Sequence, residues 1–262
     1  MNTMLRLQVA AVSLWLLSTA ALADPPPAYR LAWSDEFDGN ALDMRKWNHH
    51  GLGKHPDSTH TAEAVSVKDG NLIITTYTDG GTHCIGMIDT RGKFERSFGY
   101  YEARIKFEGS PGVWSAFWLQ TPTVGTPLGN PAVAGVEVDI CEHRVIDRVG
   151  KNIAGGVHQA LHWDVRGKDH KSKTFVTGDL GLADGFHTYG VEWTKTEYRF
   201  FIDGKLTWTA EPVSKRPEFV LFSSEVRDKS WAGNIPPGGY GNRETSKTRM
   251  VVDYVRFYEK GE

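Results

Sequence analysis

The stretch Val136-Glu137-Val138-Asp139-Ile140-Cys141-Glu142-His143 sets three carboxylates among residues that otherwise favour a β-strand. Side chains alternate faces along a strand, so Glu137 and Asp139 share one face. Regular alternation sends Glu142 to the other. A β-bulge of one extra residue, most simply around Cys141, returns Glu142 to the side of Glu137 and Asp139. Val136, Val138 and Ile140 then form an apolar back, as expected of a strand buried on its second face. Three acids on one face repel one another, and a fold tolerates this where a shared proton, a cation or a function compensates. Two carboxyl groups about 5 Å apart suit nucleophilic and acid/base work on a glycosidic bond with retention.

The residues around this strand read as many short strands with almost no helix. Segments 65–67 and 72–77 flank Lys68-Asp69-Gly70-Asn71, and Asp203-Gly204 separates 197–202 from 206–210; both are hairpin signals. Further strands are predicted over 84–90, 99–107, 115–120, 136–143, 155–162, 186–193, 218–225 and 250–258. No helical periodicity persists beyond two turns, so the fold class is all-β, a sandwich of two antiparallel sheets. Two Gly/Pro/polar segments, 121–134 and 228–247, interrupt the strands and are expected to line a binding site. No interdomain linker or repeat is evident, which leaves residues 24–262 as one domain.

Residues 1–23 read as a signal peptide: one early positive charge, an apolar run over 9–22 and Ala21-Leu22-Ala23 before Asp24. Cleavage after Ala23 implies a secreted or periplasmic protein with no membrane attachment afterwards, and a monomer is expected. Formal net charge is −2, so there is no electrostatic case for nucleic acid. Nine Trp, nine Tyr and twelve Phe supply aromatic faces, some for the core and some for stacking on sugar rings. Two cysteines, Cys84 and Cys141, cannot build a disulfide-dense scaffold; they either pair or stay as buried thiols. The histidines lack the spacing of a catalytic metal site, so no cofactor is expected for catalysis.

The order Trp33–Gly39 (Trp-Ser-Asp-Glu-Phe-Asp-Gly), 91–106, Trp-Ser-Ala-Phe-Trp-Leu at 114–119, the acid stretch, 186–193 and Val-Asp-Tyr-Val-Arg-Phe-Tyr at 252–258 resembles glycoside hydrolase family 16 over nearly the whole of 24–262. The resemblance implies a β-jelly-roll with a carbohydrate cleft on the concave sheet and retaining hydrolysis of β-linked polysaccharide. It makes Glu137 the nucleophile, Glu142 the acid/base and Asp139 the carboxylate between them. The two-then-three spacing is similar to the bulged laminarinase and galactanase branches and unlike the evenly spaced lichenases and plant transglycosylases.

As cleft residues the resemblance implies Trp114 and Trp118, which share a strand face, His162 and Trp163, Glu225, Trp231, and Arg91 as a donor. Phe117 and His143, on opposite faces, are expected to be structural; His158 shares the face of His162. A structural calcium on the convex side would take Glu36, Asp253 and a carbonyl such as that of Gly70. β-1,3-Glucan is the first substrate expected. Phe222-Ser-Ser-Glu-Val-Arg and the basic run 166–173 depart from the laminarinase pattern and raise an agar-, porphyran- or carrageenan-type galactan as the alternative. A carbohydrate-binding sandwich without catalysis is the reading from another class, and its mark would be loss of Glu137 or Glu142. Both are present.

Overall fold

The computed structural model describes residues 27–164 and 167–261; the signal-peptide reading and part of the basic run lie outside them. Two eight-stranded sheets pack face to face. One runs Lys171–Val176, His158–Trp163, Glu137–His143, Val113–Gln120, Glu218–Val226, Met87–Asp89 and Asn48–His49, with Glu95–Arg96 also paired to Glu218–Val226. The other runs Lys205–Ala210, Tyr198–Ile202, His187–Trp193, Gly99–Glu108, Arg249–Lys260, Asn71–Thr75 and Val65–Lys68, with Tyr29–Asp35 added along Arg249–Lys260. All pairings in these two sheets are antiparallel. The described helical residues amount to one short α-turn, Pro131–Ala134, and one 3-10 turn, Ala62–Ala64.

Both hairpins form as read. Asp69 and Gly70 have φ of 52° and 71°, and Asp203 and Gly204 have 48° and 70°. Two consecutive positive φ values match the right-handed twist of the flanking strands, which is why Asp-Gly recurs there. The expected strand 84–90 is instead two strands, Thr82–Ile85 and Met87–Asp89, in different sheets. They part at Gly86, where a Cβ would lie 2.7 Å from a Val65 methyl, so the chain crosses between layers only with no side chain. Thr82–Ile85 joins Gly53–Lys54, Thr59–His60 and Tyr77–Asp79 in a small third sheet beside the cleft. Lys171–Val176, part of the run read as a basic loop, is an edge strand.

The core between the large sheets is aromatic and aliphatic. Trp47, Tyr101, Phe117, Tyr189, Trp193, Phe200 and Phe222 are fully buried. Phe117 stacks on Phe222 at 5.0 Å, as its face predicted. The Trp33–Gly39 motif is a structural clasp. Trp33 stacks on Phe94 at 4.5 Å, and the Asp35 carboxylate accepts from Trp47 Nε1 at 2.7 Å and from the Phe37 N–H.

The register brings the calcium ligands implied by the resemblance to one stretch of the last strand, since Asp35 pairs with Val255 and Leu72 with Val252, but both carboxylates are taken by arginines. The Glu36 carboxylate accepts two bonds from the Arg256 guanidinium, at 3.0 and 2.7 Å, and Asp253 accepts from Arg104 at 2.7 Å. Arg256 holds the Glu36 carboxyl below its usual range against the upward push of burial. Gly70 sits in its hairpin turn at positive φ. Each carboxylate is thus neutralised by an arginine, Glu36 by Arg256 and Asp253 by Arg104. The two cysteines are free thiols: Cys141 is buried between the large sheets and Cys84 lies in the small one.

Candidate active site

The acid strand carries the bulge that its spacing demands. Opposite Val113–Gln120, Trp118 pairs with Asp139 and Phe117 with Cys141, so Ile140 is the extra residue. Against His158–Trp163 the same slip separates Asp139↔Ala160 from Glu142↔His158. The bulge therefore starts one residue earlier than expected from the sequence. Ile140 and Cys141 both turn into the core and are fully buried. Two consecutive apolar side chains on one face restore Glu142 to the face of Glu137 and Asp139. Burial pushes the Cys141 thiol far up, so it is an inert packing group.

That face is the floor of an open cleft of about 840 Å³. Glu137, Asp139 and Glu142 line it, with Trp114, Trp118 and Gln120 from the neighbouring strand and His158, His162 and Trp163 from the other side. Glu225 and Trp231 also line it. The third sheet adds His60, and the loop between Gly53–Lys54 and Thr59–His60 adds His55 and Asp57. Trp118 is mostly buried, donates from Nε1 to Ser223 Oγ at 3.1 Å, and packs with Met87, Ala116, Phe219 and Leu221. It forms floor rather than wall. Trp163 both lines the cleft and packs against the core at its strand end. Arg91 does not line the cleft. Its guanidinium lies over the Phe219 ring and donates to the Pro122 carbonyl, because the turn after Met87–Asp89 aims it at the neighbouring loop.

Each carboxylate has a defined partner. Glu137 Oε2 accepts from Gln120 Nε2 at 2.7 Å. Asp139 Oδ2 lies 3.3 Å from His162 Nε2, and His162 Nδ1 lies 2.9 Å from His170 Nε2. Glu142 Oε2 lies 3.1 Å from His158 Nδ1. Donor atoms of Glu137, Asp139 and His162 fall within 4.8 Å of one another, so this trio is the group among the described residues that could grip a metal ion. His162 lies beside Asp139 and is hydrogen-bonded to His170. His143 points away, stacks on Phe107 at 4.7 Å and donates from Nε2 to the Ala154 carbonyl. Burial lowers its pKa to about 4, and it is structural as expected.

Gln120, His170 and the His55–His60 pair were missed in the sequence. Gln120 had a signal, being the next even position after Trp114 and Trp118 on the same strand face. His55 and His60 stack at 3.9 Å beside the cleft, and burial holds His60 neutral, its pKa lowered to about 4. They reach the cleft through tertiary packing that no local pattern encodes.

Against known proteins, residues 30–260 match the model of the β-porphyranase A–D domain of glycoside hydrolase family 16. The chain belongs to glycoside hydrolase family 16, a retaining family of enzymes that hydrolyse glycosidic bonds. A β-glucanase of Rhodothermus marinus is 29% identical, over 90% of this chain and 87% of its own. The glucan endo-1,3-β-glucosidase A1 of Niallia circulans is 27% identical over 93% of this chain, which spans 40% of that longer protein. Among solved structures, the laminarinase of Flavobacterium sp. UMI-01 superposes with a TM-score of 0.71 at 25% identity, covering 88% of this chain and all of that one. A β-porphyranase E of Zobellia galactanivorans is 26% identical over 87% of this chain and 86% of its own.

Proposed function

We propose that this chain is an endo-acting retaining hydrolase of β-1,3-linked glucan, with Glu137 as nucleophile, Glu142 as acid/base and Asp139 as the charge-sharing carboxylate between them. The observation that carries the reading is the bulge, which brings all three acids onto the floor of a cleft open to a polymer. Ionised Glu137, oriented by Gln120, attacks the anomeric carbon while protonated Glu142 gives its proton to the leaving oxygen. The glycosidic bond breaks, the reducing-end fragment leaves as an alcohol, and a glycosyl ester on Glu137 remains. Glu142, now a carboxylate, takes a proton from water as the water attacks that ester, which frees Glu137 and returns the proton to Glu142. Asp139, 3.3 Å from His162, places a carboxylate beside the developing oxocarbenium ion.

The glucan assignment is supported by the names of the Niallia and Rhodothermus relatives and of the Flavobacterium laminarinase. A galactan of the porphyran type is the second reading, favoured by the family model that spans the chain and by a cleft lined with five histidines and Arg227. Export through the segment 1–23 and action as a monomer belong to the same proposal. Digestion of laminarin, lichenan, agarose, porphyran and carrageenan, read by new reducing ends, separates the two substrates. Attack on laminarin supports the first reading; attack on porphyran alone replaces it. The roles are tested by Glu137→Gln and Glu142→Gln, each expected to abolish hydrolysis in a folded protein. Azide should restore turnover of an activated aryl glycoside to Glu142→Ala, since a good leaving group needs no acid and the small anion replaces the base-assisted water.

A further inference from the structure

We propose that His158 is a positioning residue for the acid/base, serving it in both halves of the reaction; the inference rests on Glu142 having that role. His158 stands directly across the strand pair from Glu142, with Nδ1 3.1 Å from Oε2. Both side chains are largely buried, at 17% and 14% exposed, so the contact is held rather than solvated away. The imidazole is itself fixed. Its ring meets Trp231 edge-on at 5.6 Å, and Trp231 meets Trp114 in the same manner at 5.8 Å. Arg144, two residues beyond Glu142, lies over the Trp231 ring at 3.8 Å and donates to the Trp231 carbonyl. The loop carrying Trp231 is thus clamped to the end of the acid strand, and His158 is wedged between that loop and Glu142.

The chemistry explains why an imidazole suits this place. The single proton of Glu142 must point at the scissile oxygen, so the oxygen facing His158 is an acceptor both before and after the proton is given up. A fixed ammonium or guanidinium there would donate in both states but would favour the ionised acid and oppose the protonated one, and a carboxylate could not donate at all. An imidazole in its neutral form donates from Nδ1 without adding a full charge beside the acid. His158 therefore keeps the Glu142 carboxyl aimed at the scissile oxygen through glycosylation and deglycosylation alike. His162 and His170 make a separate pair on Asp139 and do not occupy this site.

The test compares His158→Leu and His158→Asn, the second of which keeps a group near the Nδ1 position that can donate or accept. Phenyl and 2,4-dinitrophenyl β-laminaribiosides are the probes, with galacto-configured counterparts if the digestion screen returns a galactan. In His158→Leu, kcat/KM for the phenyl glycoside should fall roughly 10- to 100-fold, a share of what general acid catalysis supplies. The dinitrophenyl glycoside needs no acid for bond cleavage, and its kcat/KM should stay within about threefold, while its kcat falls because the base step is impaired. His158→Asn should recover most of the loss. Equal losses on both glycosides, no loss on either, or an Asn variant no better than Leu would overturn the inference. A check without substrate follows the imidazole ¹⁵N resonances of His158, which should shift on Glu142→Ala; unchanged resonances would also overturn it. Failure of azide to rescue Glu142→Ala would sink the assignment of the acid/base itself, whereas successful rescue beside an equal loss in His158→Leu would remove only the role of His158.

Discussion

Glu218 is the residue whose surroundings depart furthest from its chemistry. It is fully buried on the core side of its strand, and neither carboxyl oxygen has a hydrogen-bond partner among the described residues. Burial, and then the charge of Glu137, push its carboxyl well above the ordinary value of 4.5. The folded protein therefore holds Glu218 protonated where the unfolded chain has released that proton. Its stability is fully present below pH 4.5 and declines as pH rises through the folded-state value. Glu218→Gln removes this slope, so the variant should melt higher than the parent at pH 7–8 and converge with it near pH 4, as followed by calorimetry across pH. A second prediction concerns Gln120, which orients the nucleophile. Gln120→Ala should lower kcat/KM by roughly tenfold, about the 1.4 kcal/mol that one charge-assisted hydrogen bond contributes, with an unchanged melting temperature. A large fall in melting temperature would make Gln120 a structural residue instead.

At the scale of elements, the acid strand shows what could be read in advance. A period of two put Glu137 and Asp139 together, and the mismatch of Glu142 called for an extra residue, which the register contains. Its place at Ile140 rather than Cys141 depends on which of two apolar side chains pairs with Phe117, and local pattern does not choose between them. Deleting Ile140 should leave a regular strand with Glu137, Asp139 and Glu142 still on one face. Such a protein is expected to fold, to lose on the order of 2–4 kcal/mol for the missing core side chain, and to keep weak activity. Denaturant titration beside a reducing-end assay checks this, and an unfolded product would make the bulge obligatory for the fold. Hairpins were legible because Asp-Gly has a local steric cause. The small third sheet was not: its strands are two to four residues long, and one of its pairings is parallel, between segments far apart in sequence.

At the scale of the whole molecule, ion pairs tie the last strand to the end of the first. Arg256 on the last strand grips Glu36 just past the first, and Lys46 lies 3.4 Å from Asp35 in the same clasp. A chelator should accordingly leave the melting temperature unchanged, and added calcium should not raise it. Arg256→Gln should cost about 1 kcal/mol, a modest figure because both side chains are partly exposed and screened. The pair's contribution is present above the ordinary carboxylate range and is lost as pH falls, since Arg256 holds the Glu36 carboxyl low. A drop in melting temperature on chelation would restore the cation to this end of the sandwich. The resemblance carried the acids of that site but could not show which groups would face them; the arginines come from strand positions 104 and 256, whose register is set by the whole sheet.

Cys141 is fully buried on the core side of the acid strand, and Cys84 is partly exposed in the small third sheet. Once Cys84 is replaced by serine, the protein carries one thiol, and it can be modified only when the two layers part at the catalytic strand. The rate at which a disulfide reagent consumes that thiol then becomes a clock for opening at this one place. A glycan seated across Glu137 and Glu142 should slow the clock in proportion to its occupancy, so binding could be timed from inside the protein with no turnover at all.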